Sequence, residues 1–349
     1  MTYRLAAIAI VFVALVAPGT SEGAESVGSA TVFAHVGAPG HPDTSVVAPD
    51  GSVIVSTNRG ARGSTGPSIL HRFSARGKLI RTYSIQGQNL GGDHGTMGLA
   101  FDQQGRLYVA DYSPPRILRL DLATGRQQTY ATVPDLPLCP ASGVSCDNGI
   151  GDSKPWPDGL AFDSSGRLLV TDLAQGTVFI VKNGGGPATP WLQAPLLRSV
   201  YGPNQLAFDR DGSLVLDVTA SIDPVTLGRG VIYRIPVSRA GTPGALRQVY
   251  ATRPGEGPDG FALGRSGRIY LCTLVTDRVI VVERDGSEST SFGSALGNPA
   301  FDSPSSATFL GTALLITNLT YFTNNTAHDN VLRVNVGDTG VPALRPRVT

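Results

Sequence analysis

A short phrase that recurs along the chain constrains the fold more than any other feature of the sequence. Its clearest copy, PDGLAFDSSGRLLV at residues 157–170, predicts a strand, a tight turn closed by Gly166 and a second strand. Related copies turn at the glycines Gly51, Gly105, Gly212, Gly267 and Gly311. The copies lie roughly 45 to 60 residues apart, a spacing at which repeated strands indicate propeller blades.

The repeats predict an all-β fold, a single six-bladed β-propeller with four-stranded blades over residues 30–345. In each repeat the phrase supplies the innermost strand a and strand b, while a β-rich run and a segment that often carries an aromatic residue supply strands c and d. The sixth repeat has no d strand after Val334, whereas residues 31–34 (TVFA) resemble the other d strands. We therefore expect the N-terminal segment to pair with the last blade and close the ring, with an unpaired arm as the alternative.

The longest insertions fall on one face of such a propeller. In a four-stranded blade the d-to-a and b-to-c connections share one face, and the a-to-b and c-to-d turns share the other. The long insertions are all of the first kind and span residues 134–155, 217–230 and 318–330. Long loops gathered over one face predict a lidded pocket there, unless insertions are merely tolerated at this end.

The composition and the N-terminus indicate an exported, turn-rich protein. The chain contains 43 Gly and 25 Pro, which indicate many turns, and its formal net charge of +1 offers nucleic acid no basic surface. Residues 5–17 form an apolar run behind Arg4 that is too short to span a bilayer. We therefore expect residues 1–24 to be a signal peptide cleaved near Ala24. The mature chain is predicted to be secreted or periplasmic, with no membrane association and no nucleic-acid partner.

The three cysteines divide into a pair and a single thiol. Cys139 and Cys146 flank a short loop and are expected to form a disulfide bond in an oxidising compartment. Cys272 lies in a predicted strand, where a buried and unreactive thiol is expected.

The turn glycines also align one position at the mouth of every innermost strand, which we call the site position. It is found by counting eight residues back from each glycine and by aligning the divergent sixth repeat on Pro304. The six site positions are Asp43, Met97, Asp158, Asn204, Asp259 and Ser305. Because innermost strands surround the propeller axis, we expect these side chains to converge. Pro-Asp-Gly is also a favourable turn sequence, but the residues around Asp43 and Asn204 are not.

Three carboxylates at one narrow axis would need a cation to remain ionised together. Each like-charged pair costs ~4 kcal/mol at a separation of ~4 Å and an effective dielectric constant near ~20. Without a cation, one or more of them would have to bind a proton. An all-oxygen set that includes an amide favours Ca²⁺, although another divalent cation would also fit. The predicted metal ligands are Asp43, Asn204, Asp259 and Asp158.

Other residues are candidates for substrate contact. His94 lies on the long-loop side of blade 2 and is a candidate proton carrier at the pocket rim, or else a solvated loop histidine. Trp156 precedes Asp158 closely and is a candidate for the pocket wall, or else for plain packing. Asp158 itself is the third predicted substrate contact. The aspartates that end b strands on the same face, with a turn-capping or a supporting role, are Asp111, Asp172 and Asp217.

At these residues the sequence resembles the SMP-30/gluconolactonase/LRE-like family of six-bladed propellers. The phrases that carry the resemblance are GPN at residues 202–204 and GPDG at residues 257–260. The resemblance implies one calcium ion near the axis and hydrolysis of lactones or related esters. It assigns Asn204 and Asp259 to the metal, and Asp259 also to catalysis as the base. The chain departs from the family at Asp43, where the family has Glu, and at Asp158, where the family has Asn.

The sequence therefore predicts a secreted calcium-dependent hydrolase that acts on a small-molecule lactone or related ester. One alternative is a non-enzymatic binding module of the NHL type, in which the axis holds a structural ion or only water. Another is a lyase, or an enzyme similar to strictosidine synthase, on the same scaffold. The long insertions on one face count against the binding module, for which short and uniform loops are expected.

Overall fold

Six sheets, each formed mainly by consecutive strands, make up the described part of the protein. This computed structural model describes residues 26–58, 66–138, 146–199 and 201–349. Each sheet places its strands in the order a, b, c, d, and these neighbouring strands are antiparallel. The predicted six-bladed β-propeller with four-stranded blades is confirmed.

The strand boundaries follow the repeats closely. The first strand, β1 (Ala30–His35), precedes blade 1. Blades 1 to 3 contain β2 (Pro42–Val47), β3 (Val53–Thr57), β4 (Ile69–Phe73), β5 (Leu79–Ser84); β6 (Thr96–Phe101), β7 (Leu107–Tyr112), β8 (Pro115–Leu120), β9 (Gln127–Thr132); and β10 (Pro157–Phe162), β11 (Leu168–Asp172), β12 (Thr177–Val181), β14 (Thr189–Gln193). A two-residue strand, β13 (Gly186–Pro187), pairs in parallel with β9.

The other three blades repeat the pattern. They contain β15 (Pro203–Phe208), β16 (Leu214–Val218), β17 (Val231–Ile235), β18 (Arg247–Ala251); β19 (Pro258–Leu263), β20 (Ile269–Thr273), β21 (Arg278–Val282), β22 (Glu288–Phe292); and β23 (Pro304–Leu310), β24 (Ala313–Asn318), β25 (Asn330–Asn335). Blade 6 takes its fourth strand from the N-terminal segment, because β1 pairs antiparallel with β25. The outer edge that blade 6 would otherwise expose is thereby paired, as the sequence predicts.

Apolar side chains of adjacent blades pack against each other and hold the ring together. Tyr108 of β7 contacts Phe162 of β10, with ring centroids 4.9 Å apart in an edge-to-face arrangement. Tyr270 of β20 contacts Phe309 of β23 in the same way at 5.5 Å. Such pairs contribute about 0.5–1.5 kcal/mol each beyond the burial of their area. The core is therefore a set of blade-to-blade interfaces around the axis.

In the described part of the chain, helical structure is limited to short turns in the connections. Two 3₁₀ turns, Pro195–Leu197 and Thr326–His328, lie in the connection before blade 4 and in the b-to-c loop of blade 6. Among the described residues, no helix has the length and apolarity needed to cross a bilayer. The predicted signal peptide, residues 1–24, lies outside the described residues.

The C-terminal segment crosses the face that carries the a-to-b turns, which we call the lower face. Val341 donates a backbone hydrogen bond to Leu263 of blade 5 at 2.8 Å. Further along, the carbonyl oxygen of Pro346 accepts one from Gln103 of blade 2 at 2.9 Å. Residues 339–345 also border an axial cavity of about 670 Å³. The segment therefore ties several blades together and covers the lower end of the axis.

Candidate metal centre

Every innermost strand carries a β-bulge at its site position. In blade 1, Pro42 pairs with Thr57 and the pairing resumes at Ser45, so that Asp43 lies in the bulge. The same irregularity follows Thr96, Pro157, Pro203, Pro258 and Pro304. A bulge bends the strand and re-aims its side chains. The alignment by turn glycines therefore identifies a real structural position on the upper face, the face of the d-to-a and b-to-c connections.

Hydroxyl groups on three b strands fasten the bulges to the neighbouring blades. The hydroxyls of Ser56, Thr171 and Thr317 donate to the carbonyl oxygens of Met97, Asn204 and Asp43, the site residues of the next blades. The Ser56 and Thr317 bonds are 2.9 and 2.6 Å long. The close approach of the blades also requires glycine, since a Cβ atom on Gly159 would lie 2.5 Å from the Asn204 carbonyl oxygen. The sequence analysis missed these hydroxyl residues, although they share one register in their strands.

The structure brings the predicted ligands of blades 4 and 5 into direct contact. Asn204 donates from Nδ2 to Oδ1 of Asp259 at 2.5 Å and to the Thr219 hydroxyl at 3.3 Å. Both bonds use the amide nitrogen of Asn204, so its amide oxygen remains available to coordinate a cation. On the other side of the axis, Asn58 donates to Oδ2 of Asp43 at 3.3 Å.

The electrostatics of the three aspartates couple them across the axis. Burial raises the pKa of Asp158 well above its usual range, and the charges of Asp43 and Asp259 raise it further. Burial, followed by the charge of Asp43, raises the pKa of Asp259 to about 8. Burial also raises the pKa of Asp43 to about 6, against the lowering effect of hydrogen bonds from Thr44 and Asn58. The three carboxyl groups therefore share one buried region of negative potential.

A fourth buried carboxyl group adjoins this region. Asp217 accepts a hydrogen bond from the backbone N–H of Gln205 at 2.7 Å through Oδ1, while its buried Oδ2 has no hydrogen-bond partner. Burial raises the pKa of Asp217 well above its usual range, and the charge of Asp259 adds to the effect. Asp217 occupies the strand register that Thr171 fills in blade 3. A carboxyl group stands here in place of a hydroxyl, beside the acidic cluster.

The donor set fits a hard cation. Asp158 is only 3% exposed, and its buried Oδ2 has no hydrogen-bond partner. Among the described residues, no group of three or more His, Cys, Asp and Glu side chains is arranged to hold a metal ion by itself. A cation here would therefore also need the amide oxygen of Asn204, and carboxylate and amide oxygens are the ligands that Ca²⁺ prefers. Without a cation, the alternative is protonation of the cluster.

The site positions of blades 2 and 6 do not add oxygen ligands. Met97 presents its sulfur atom 3.2 Å from the amide nitrogen of Asn58. Ser305 turns its hydroxyl to the backbone and donates to the Asp43 carbonyl oxygen at 2.7 Å. The acidic cluster is therefore built by blades 1, 3, 4 and 5.

His94 is buried between two loops, the connection before blade 2 and the b-to-c loop of blade 1. Its side chain is buried, and its ring nitrogens lie 2.8 Å from the carbonyl oxygen of Gly92 and 2.9 Å from that of Gly66. A ring held by two backbone carbonyls is not presented to a pocket. This placement argues against the predicted proton-carrier role, and equally against the solvated loop histidine.

Trp156 is connected to the acidic cluster through a short chain of contacts. Its ring packs against Tyr112 with centroids 4.9 Å apart. The Tyr112 hydroxyl donates to Oδ1 of Asn58 at 3.1 Å, and Asn58 in turn donates to Asp43. Trp156 is partly buried and packs on the core between blades 2 and 3. Its packing is therefore shown, and its place in a pocket wall stays a prediction.

The described cysteines have different states. Cys146 is disulfide-bonded, while its predicted partner Cys139 lies outside the described residues. Cys272 is free and buried. Burial raises the pKa of its thiol well above the usual range, and the charges of Asp259 and Asp217 raise it further. A thiol in this state is a poor nucleophile, because the reactive form is the thiolate.

Comparison with known proteins supports the same fold. A sequence profile of the SMP-30/Gluconolactonase/LRE-like region matches residues 189–319. Among solved structures, a calcium-binding protein, regucalcin, from Agrobacterium tumefaciens str. C58 is similar with a TM-score of 0.62 and 16% identity, over 91% of this chain and 99% of that chain. A putative gluconolactonase is similar with a TM-score of 0.59 and 17% identity, over 90% and 93%.

A third similar structure is named for a different activity. It is a virginiamycin B lyase from Staphylococcus aureus, with a TM-score of 0.53 and 14% identity, over 88% of each chain. No curated protein sequence matches the chain significantly. At these identities the similar structures establish the fold. The resemblance predicted from the sequence is confirmed: the chain is a six-bladed β-propeller whose residues 189–319 match the SMP-30/Gluconolactonase/LRE-like profile.

Proposed function

We propose that the protein is a secreted, calcium-dependent hydrolase of a lactone or a related ester. The observation that carries the proposal is the buried cluster of Asp43, Asp158 and Asp259 beside Asn204, in which an oxygen of Asp158 has no hydrogen-bond partner. The family-profile match and the similar gluconolactonase and calcium-binding regucalcin structures support it. The negative potential calls for a cation, and the site lies on the face of the long loops.

The four side chains of the cluster have different roles in this mechanism. Asp43, Asp158, Asn204 and Asp259 would hold Ca²⁺, which when bound supplies a positive charge that polarises the ester carbonyl. Asp259 takes the proton from the attacking water through a carboxylate oxygen, and Asn204 orients that carboxylate through its hydrogen bond to Oδ1. The water oxygen bonds to the carbonyl carbon, and the single bond between that carbon and the alkoxy oxygen of the ester breaks. The alcohol leaves with the proton, and a hydroxy acid is the product of a lactone.

The direct test measures calcium binding and turnover together. Protein stripped with a chelator is titrated with Ca²⁺ by calorimetry, and hydrolysis of a panel of lactones and esters is followed at each calcium level. We expect one ion per chain and a turnover rate that rises with the occupancy of that ion. Calcium binding without turnover on any substrate would favour the binding module. Turnover that is unaffected by the chelator would contradict the calcium-dependent mechanism.

Export is part of the same proposal. The predicted signal peptide supports it, and the disulfide-bonded Cys146 suits an oxidising compartment. Expression of the full chain followed by N-terminal sequencing of the exported protein tests it. We expect a mature N-terminus near residue 25, and protein that stays inside the cell with residues 1–24 intact would contradict export.

A further inference from the structure

The axial cavity at the lower end of the propeller is separate from the acidic cluster and large enough for a ligand of its own. Its volume of about 670 Å³ lies within the range of pockets that hold small organic molecules. Residues 44–47 of β2 all border it, so it follows the axis for about 10 Å or more at a rise of ~3.3 Å per residue. Residues 339–345 of the C-terminal segment border its lower end. The chemistry of these walls indicates what the cavity can hold.

The lower part of the cavity is apolar in all six blades. At or next to its last residue, each innermost strand carries a large apolar side chain that borders the cavity. These side chains are Val47, Phe101, Phe162, Phe208, Leu263 and Phe309. Phe208 and Phe309 are only partly buried, so apolar surface is left for a ligand to cover. The upper part is more polar, because Ser45 and Gln205 border it, and an apolar group of limited length therefore fits best.

Two arginine residues border the same cavity at its lower end. Arg345 of the C-terminal segment donates from Nη2 to the Val47 carbonyl oxygen at 2.6 Å, and its guanidinium lies 5.9 Å from the centroid of the Phe101 ring. Arg265, in the a-to-b turn of blade 5, donates to the Gly340 carbonyl oxygen at 3.3 Å. Within the described residues neither guanidinium forms an ion pair, and no Asp or Glu borders the cavity.

The charges along the axis give a ligand a preferred orientation. Arg345 is half-buried, and burial lowers the pKa of its guanidinium. A guanidinium has several N–H donors, and the two hydrogen bonds above use a single donor of each arginine. A carboxylate would accept the remaining donors and supply the missing negative charge. The acidic cluster at the upper end opposes an anion, so the anionic group of a ligand belongs at the lower end.

We propose that the axial cavity binds a small amphipathic carboxylate, with its apolar chain between the lower ends of the innermost strands and its carboxylate at Arg345 and Arg265. The inference is independent of the proposed function, because it uses none of the side chains that would hold Ca²⁺. The polar upper part of the cavity restricts the apolar chain to a medium length. Since Arg345 belongs to the C-terminal segment, a bound carboxylate also fastens this segment to the propeller and stabilises the folded protein.

The experiment titrates octanoate into the mature protein by calorimetry, in chelator so that the carboxylate cannot bind to Ca²⁺. Acetate tests the anionic group alone, octanol tests the chain alone, and hexadecanoate, kept below its micellar concentration, tests the length. We expect saturable binding of octanoate at one site per chain. Its affinity should be at least tenfold higher than that of each other compound, which corresponds to about 1.4 kcal/mol. The Tm should rise with the octanoate concentration.

Variants of the two arginines test the charged end of the site. R345Q and R265Q should each weaken octanoate binding about tenfold, because a charge-assisted hydrogen bond is lost, and should leave octanol binding unaffected. R345K keeps the charge and should retain most of the octanoate affinity. R229Q, in the exposed b-to-c loop of blade 4 on the upper face, is the matched control and should bind octanoate like the parent protein. The Tm of each variant without ligand shows that it is folded.

Several results would overturn the inference. Absence of octanoate binding would mean that the cavity holds only water, and equal affinities for acetate and octanoate would mean an adventitious anion site only. Equal affinities for octanol and octanoate, or equal losses in R229Q and R345Q, would remove the two arginines from the site. Octanoate binding that requires Ca²⁺ would place the carboxylate at the acidic cluster instead. None of these results bears on lactone hydrolysis, so the proposed function is tested separately.

Discussion

The two ends of the propeller axis are lined by the same innermost strands but differ in chemistry. At the upper end the strands begin with Asp43, Asp158, Asn204 and Asp259, whose buried charges oppose one another. At the lower end the same strands line an axial cavity of about 670 Å³ with alanine and phenylalanine side chains, and the C-terminal segment covers it. The buried like charges of the upper end thus lower the stability of the metal-free protein, whereas the hydrogen bonds of the C-terminal segment at the lower end raise it. A site that is unfavourable without its ligand is typical of function.

The largest expected effect is on turnover, at the upper end. Asp259→Asn removes the proposed base and one anionic oxygen, so kcat should fall by about 10³-fold or more and calcium affinity should fall with it. The measurement is initial-rate kinetics on the best lactone, with calorimetry for calcium. Asp285→Asn, on an exposed turn between β21 and β22, is the matched control and should behave like the parent protein. An Asp259→Asn variant with parental turnover would show that the base is elsewhere.

Shortening the lower end should reduce stability without affecting the ion. A chain that ends at Val336 loses the hydrogen bonds of Val341 and Pro346 to blades 5 and 2 and the burial of Val348. We expect the free energy of unfolding to fall by on the order of 4 kcal/mol and Tm by about 5–10 °C. Calcium affinity should change less than threefold. Scanning calorimetry and calcium titration check both, and a large loss of affinity would mean that the two ends are coupled.

The pH dependence of stability should separate the metal-free from the calcium-loaded protein. The folded pKa values of Asp43 (about 6) and Asp259 (about 8) lie above those of unfolded aspartate. Their contribution to stability is therefore present below about pH 4 and is lost as the pH rises through 6 and then 8. At about 1.4 kcal/mol per pKa unit, the two shifts set an upper limit of ~9 kcal/mol on this loss.

The control for this prediction is calcium itself. With saturating Ca²⁺ the carboxylates are compensated, so Tm should vary little over the same pH window. Denaturation curves at several pH values, with chelator or with calcium, measure the difference. Parallel curves under the two conditions would contradict the placement of the ion among these aspartates.

The fold and the position of the cluster were accessible from the sequence because the repeats are regular. Turn glycines such as Gly166, with positive φ, mark the register and lead to the site position in five blades, while Pro304 marks it in the sixth. The c and d strands and the closure by β1 followed from β-rich runs in the same order. The predictions succeeded wherever the backbone repeats itself.

The parts that sequence reasoning missed depend on contacts between blades. The hydroxyls of Thr171 and Thr317 lie in an ordinary strand register, and only the three-dimensional ring shows that they reach the next blade. The course of the C-terminal segment could not be inferred, because its Gly- and Pro-rich sequence has no periodicity. The contacts of His94 could not be inferred for a similar reason, since its carbonyl partner at Gly66 is remote in sequence.

The smallest expected effect is also the sharpest test of the contrast between the two ends, because its sign depends on the ion. Asp158→Asn removes a charge that burial, Asp43 and Asp259 all disfavour. In chelator we expect the variant to be more stable than the parent by about 1 kcal/mol, or roughly 2 °C in Tm. In saturating calcium the order should reverse, because one ligand charge is lost. A matched change at the exposed Asp121 should show neither effect. If Asp158→Asn lowers Tm equally with and without calcium, Asp158 is a structural residue. The upper end of the axis then differs from the lower end only in polarity.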